Sequence, residues 1–233
     1  MVYYTGDIHG NPTQLEAFCQ HWNLQVDDII VLLGDVGSNY YTGKQDDEIK
    51  RRLNTLRATI LCIHGNHEIR PHHFSTYTTK QWNGGAVYYE EQYPNLLFAR
   101  DGEIFNMDGL AHLVIGGAYS VDKYYRIARG GGWWDDEQPS EEVKAYVEEQ
   151  IQKHHVDVIL SHTCPYKYIP TEAFLPMVNQ EEVDSSTEKW LDRIEQTVDY
   201  HAWLCGHWHI NKSTNKVHFL FNGIIGSDDL RRK

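Results

Sequence analysis

Aspartate, asparagine and histidine recur in this 233-residue chain at one kind of place, the end of a short apolar run. Residues 27–37, Asp-Asp-Ile-Ile-Val-Leu-Leu-Gly-Asp-Val-Gly, set the pattern: an aliphatic run, a glycine that permits a tight turn, then the carboxylate of Asp35. Similar runs lead into Gly6-Asp7-Ile8-His9-Gly10, His64-Gly65-Asn66-His67-Glu68, Ser161-His162 and Gly206-His207-Trp208-His209. Carboxylate and amide oxygens together with imidazole nitrogens are the donors of a transition-metal site.

These donors must be carried by something rigid. Apolar runs without polar alternation suit strands covered on both faces, and open α/β folds place their chemistry at the ends of such strands. Residues 11–23 predict a helix with Asn11 as N-cap and Pro12 in its first position, and residues 45–57 predict a second with Ile49, Leu53 and Leu56 on one stripe. Two β-α-β units imply parallel pairing. Residues 70–95 lose periodicity and read as an inserted loop region. Residues 96–118 read as a β-meander with Asp101-Gly102 and Asp108-Gly109 as hairpin turns. A second insert, residues 119–139, combines Lys123, Arg126 and Arg129 with Tyr124, Tyr125, Trp133 and Trp134 around three glycines. Ser140 opens a helix, residues 165–186 form a long loop, and a short helix over 187–197 leads to the last strands. The expectation is one α/β domain over residues 1–233, with a mixed sheet or two facing sheets.

Composition narrows the function. No apolar stretch approaches the roughly 20 residues of a membrane span, and the N-terminus enters a strand with no basic segment before it, so a cytoplasmic protein is expected. Cys19, Cys62, Cys164 and Cys205 lie far apart and read as reduced thiols. A net charge of −12 argues against a nonspecific nucleic-acid surface. It still allows a phosphate substrate, because bound cations supply positive charge locally.

In order, Gly-Asp-x-His-Gly, Gly-Asp, Gly-Asn-His-Glu, a lone strand-end His and Gly-His-x-His resemble the calcineurin-like metallophosphoesterase superfamily, from residue 6 to residue 209. Each motif alone is a weak signal, and all of them in sequence are a strong one. The resemblance implies a four-layer α-β-β-α sandwich of two mixed β-sheets flanked by helices, with the active site at strand C-terminal ends. It implies two divalent metal ions, the first on Asp7, His9, Asp35 and His209 and the second on Asp35, Asn66, His162 and His207. Asp35 would bridge them, as a carboxylate with two oxygens can, and manganese is favoured, with Fe, Zn, Ni or Co next. A hydroxide shared by the ions would attack phosphorus. His67 would stabilise the transition state or protonate the leaving group, for which an imidazole of near-neutral pKa suits. Glu68 reads as support behind the ligands. His207 and His209 would point the same way from an extended segment.

The chain departs from the superfamily's protein serine/threonine phosphatases after Gly34-Asp35. Those continue Gly-Asp-x-x-Asp-Arg-Gly, whereas here Val36-Gly37-Ser38-Asn39-Tyr40 follows. The phosphate clamp must come from elsewhere, and Arg126 and Arg129 are the candidates, with Tyr124, Trp133 and Trp134 as stacking surfaces for the substrate. The expected activity is phosphoric ester hydrolysis on a phosphorylated small molecule, nucleotide or phosphopeptide, phosphomonoesterase being favoured over phosphodiesterase on nucleotides or cyclic nucleotides. An inactive protein-binding scaffold is the rival reading; such a chain would be expected to have lost ligands.

Overall fold

The structure, a computed structural model, describes residues 1–231. Strand β1 (Val2–Thr5), helix α1 (Thr13–His21) and strand β2 (Ile29–Leu32) form the first β-α-β unit, and helix α2 (Lys44–Asn54) with strand β3 (Thr59–Cys62) forms the second. Both strand pairs are parallel. Helix α1 starts at Thr13, one residue later than expected, and Asn11 Oδ1 still accepts the Thr13 N–H at 3.3 Å. Helix α2 ends at Asn54 rather than residue 57; Thr55 Oγ1 donates to the Arg52 carbonyl at 2.7 Å and so closes the last turn.

Residues 70–95 are not the loop the sequence suggested. After a 3-10 turn at Pro71–His73, strands β4 (Thr78–Trp82) and β5 (Gly85–Tyr89) pair as a hairpin through Asn83 and Gly84, both at positive φ. Strand β4 is largely exposed at a sheet edge, so its residues, Thr-Thr-Lys-Gln-Trp, show no buried face for periodicity to reveal. The expected meander is also corrected. Strand β6 (Leu96–Ala99) pairs with β3 and β5, whereas β7 (Ile104–Met107) and β8 (Leu110–Ile115) belong to another sheet. Asp108-Gly109 is a hairpin turn, but Asp101-Gly102 is a crossing between sheets, where Asp101 Oδ1 accepts the Gly116 N–H at 2.7 Å.

The second half adds α3 (Lys123–Ala128), α4 (Glu141–Lys153), β9 (Val158–Ser161), α5 (Ser186–Thr197), β10 (Ala202–Cys205), β11 (Lys212–Thr214), β12 (Val217–Phe219), β13 (Ile224–Gly226) and α6 (Ser227–Arg231). Ser140 Oγ accepts the Val143 N–H and caps α4 as expected. The sheet orders are β13-β1-β2-β3-β6-β5-β4 and β11-β12-β10-β9-β8-β7.

The apolar runs are continuous because every one is covered twice. In β2, Val31 faces the core between the sheets while Ile30 and Leu32 face the layer holding Leu15 of α1 and Leu53 of α2. In β10, Ala202 and Leu204 face the same inter-sheet core, while Trp203 and Cys205 face Val147 of α4 and Leu191 of α5. The result is the expected four-layer α-β-β-α sandwich.

Candidate metal centre

The segments following β1, β2, β3, β9 and β10 meet at one end of the two sheets. Asp7 Oδ2 lies 3.2 Å from His209 Nε2, and His209 Nε2 lies 2.9 Å from His9 Nε2. His162 Nε2 lies 3.8 Å from Asp35 Oδ2 and 2.8 Å from Asn66 Oδ1, which is also 3.0 Å from His207 Nδ1. Two donor groups follow, Asp7-His9-His209 and Asp7-Asp35-His162, each with ligand atoms within 4.8 Å of one another.

Residues 1–211 match the family of calcineurin-like phosphoesterases. The chain belongs to that family. Calcineurin-like phosphoesterases are hydrolases that cleave phosphoesters at a dinuclear divalent metal centre. Among solved structures, the TT1561 protein of Thermus thermophilus superposes with a TM-score of 0.53 at 13% identity, over 94% of this chain and 87% of that one. A second solved chain superposes with a TM-score of 0.51 at 11% identity, over 94% of this chain and 88% of that one. At such identities the likeness concerns the fold. No curated protein sequence matches this chain significantly.

The donor set of this calcineurin-like phosphoesterase suits cations. His162 Nδ1 donates to the Leu33 carbonyl at 2.7 Å, so a neutral ring presents a bare Nε2 to Asn66 Oδ1. The Asn66 oxygen is an acceptor too, since its amide nitrogen is engaged by Ser120 Oγ at 2.8 Å. Two lone-pair bearers in contact are reconciled by a cation between them. Asp35 and Asp7 are both buried, and the Asp35 carboxyl is pushed well above the usual carboxylate range by burial and then by the Asp7 charge. Burial and the surrounding imidazoles hold His207 well below the usual histidine range, and burial lowers His9, leaving both rings available as neutral ligands. His209 is raised by its hydrogen bond to Asp7.

The backbone carries strain at the same place. His9, Asp35, His207 and His209 all have positive φ, at 43°, 47°, 64° and 50°. His207 and His209 therefore reach the site from left-handed backbone, not from the extended segment that the two-residue spacing suggested. Gly34, at φ +98°, leaves room for His162, whose Nδ1 would lie 2.2 Å from a Cβ. A Cβ on Gly65 would fall 2.1 Å from Asp35 Oδ1.

Support comes from groups of unequal legibility. Glu68, expected behind the ligands, accepts from the backbone N–H groups of Val36 (2.6 Å), Gly37 (3.0 Å) and Gly65 (3.3 Å), tying two donor loops together. Burial pushes its carboxyl up to about 8. Tyr40, whose hydroxyl is 3.0 Å from His9 Nδ1, and Ser120 carried no motif that marked them. His67 lines the site with Nε2 4.0 Å from Asp35 Oδ2. Burial, Arg126 and the neighbouring histidines lower it to about 3, in place of the near-neutral value expected.

The second insert divides. Arg126 Nη1 donates to Ser120 Oγ at 3.1 Å, and its charge reaches Asp35 and His67. Arg129 instead lies over the Tyr125 ring, 4.9 Å from its centroid, and Tyr124 is 74% exposed. Trp133 packs under Lys123 and Trp134 beside Arg126. Arg126, Arg129, Tyr124, Trp133 and Trp134 are all outside the lining of the cleft at the donor cluster, which encloses about 720 Å³, and Arg126 is set apart from the other four by its bond to Ser120 Oγ. A further donor group, His72, His73 and Asp136, sits apart, where Arg70 already bonds the Asp136 carbonyl at 2.8 Å and lends it positive charge.

Proposed function

We propose that this chain is a phosphomonoesterase whose two cations sit on Asp7, His9, Asp35 and His209 and on Asp35, Asn66, His162 and His207. The observation that carries the reading is the contact of His162 Nε2 with Asn66 Oδ1, each held by a bond on its far side, to Leu33 O and Ser120 Oγ. Mixed oxygen and imidazole donors suit a first-row transition metal such as Mn, Fe, Zn, Ni or Co, of which manganese is the one proposed. The cations would acidify water and screen the phosphoryl oxygens.

The protein's own groups do the rest. Asp35 faces His162, whose Nε2 is 3.8 Å from its Oδ2, while its Oδ1 accepts the His67 backbone N–H at 2.9 Å and so fixes the loop that carries His67. His67 is neutral at pH 7, so it serves by donating a hydrogen bond to an ester oxygen, and the transition-state role fits it better than delivery of a proton from an imidazolium. Arg126 is the clamp candidate we retain, because its guanidinium acts on the donor cluster from behind Ser120. A cytoplasmic setting accords with four unpaired cysteines.

The Gly206-His207-Trp208-His209 ending, typical of diesterase branches, favours phosphodiester cleavage as the second reading. Turnover of p-nitrophenyl phosphate and its bis-ester in Mn²⁺ tests both. Asp35→Ala and His207→Ala should abolish either activity, and full activity in those variants would overturn the site. The ratio of the two wild-type rates decides between monoester and diester.

A further inference from the structure

The cleft at the donor cluster continues well beyond the space a phosphoryl group fills, and its chemistry changes along the way. Asp35, His67, His207 and His209 line its near end; beyond them come Val121, Ile169, Phe174, Leu175, Val178 and Trp208. Trp208 joins the two parts. It stands between two of the donor histidines in sequence, packs edge-on against His207 at 5.2 Å, and meets Phe174 at 6.2 Å. The outer wall is the segment between β9 and α5, held in 3-10 turns at Tyr166–Tyr168, Thr171–Ala173 and Gln180–Glu182.

Charge is scarce on this wall. No arginine lines the cleft among the described residues, and its one lysine, Lys167, directs Nζ to Glu195 at 2.7 Å. Asp122 is engaged with Arg126 at 3.7 Å. Glu188 also borders the cleft; it is 5% exposed, and its Oε1 accepts from Thr163 Oγ1 at 2.9 Å while Oε2 is buried without a partner. A second anionic group on a substrate would find no free cation there, whereas a hydroxyl or amine donor would find Glu188 Oε2.

We infer that this cleft holds the alcohol half of the phosphoester, and that this half is an uncharged, mainly apolar group of ring size carrying a hydrogen-bond donor. The volume of about 720 Å³ lies within the roughly 300–1,000 Å³ range of sites that enclose drug-sized ligands. The inference rests on reading the donor cluster as the phosphoester site, and it excludes nucleoside polyphosphates and acidic phosphopeptides as preferred substrates.

Uncleavable phosphonates separate the two. In calorimetry with the Mn²⁺-loaded full chain, 1-naphthylphosphonate should bind about tenfold or more tighter than methylphosphonate, which carries the same anionic head. Phe174→Ala should bring that ratio down towards unity. Leu175→Asp, at a side chain 58% exposed and so tolerated by the fold, should do the same. Equal binding of the two phosphonates, or a ratio unchanged in both variants, would overturn the inference while leaving the phosphoesterase reading intact. Failure of both to bind, with no ester hydrolysed, would overturn the two together.

Discussion

Asn66 Nδ2 donates to Ser120 Oγ at 2.8 Å, and this bond turns the amide so that its oxygen meets His162 and His207. The two ends of an amide are chemically unlike, and only the oxygen is a good ligand for a divalent cation. Ser120 is itself fixed, its N–H donating to Glu137 Oε1 at 3.2 Å. Ser120→Ala should therefore weaken Mn²⁺ binding by about 10–100-fold, the usual effect of removing a group that orients a ligand. Competition with a chelator measures it, and an unchanged affinity would remove Ser120 from the site.

Arg126 and Arg129 stand one helical turn apart in sequence but face different surroundings. Arg126→Ala should lower kcat/KM for p-nitrophenyl phosphate by about 10-fold or more, since the wild-type guanidinium is close enough to bias Asp35 and His67. Arg129→Ala removes a group stacked on Tyr125 and should change kcat/KM by less than about twofold. Steady-state kinetics on the pair decide it; equal losses would mean that the contact with Ser120 gives Arg126 no special part in turnover.

Gly34→Ala tests the cradle behind His162. The residue sits at φ +98° with His162 Nδ1 2.2 Å from the added Cβ, so backbone and side chain must both move. A loss of about 2 kcal/mol or more in urea unfolding is expected, together with weaker metal binding. Wild-type stability with full metal content would show that the loop adapts freely.

Glu188 gives a pH dependence of stability. Burial raises its carboxyl to about 7, so between its unfolded value and that point the folded chain keeps a proton that the unfolded chain releases. The contribution is complete below the unfolded pKa and is lost as pH rises through about 7, on the order of 3 kcal/mol in all. In metal-free protein, melting curves should show stability falling over that window and Glu188→Gln flattening the fall. Parallel curves for the two proteins would refute the assignment.

Much of this centre was legible before any fold was in hand, for a local reason. A strand covered on both faces writes itself as an unbroken aliphatic run, and the glycine and donor that follow are adjacent in sequence, so Asp7, Asp35, Asn66, His162 and His207 announced themselves together. Helix α4 was equally open to reading, since Ser140 and the residues it caps are neighbours. Edge strand β4 was hidden because most of its side chains face solvent, and β6 and β7 could not be assigned to different sheets because nothing in Arg100-Asp101-Gly102-Glu103 distinguishes a hairpin from a crossing.

By itself, then, the amino-acid order determined the donor types, the strand ends that carry them and the family to which they point. Tertiary structure alone decided that Ser120, 54 positions from Asn66, orients its amide, that Leu33 sets the tautomer of His162, 129 positions away, and that Arg126 and Arg129 part company. It also imposed the left-handed backbone at His207 and His209, which spacing had suggested was extended. Such relationships depend on which surfaces pack together and what strain the surrounding core can hold in place, and those are properties of the assembled chain.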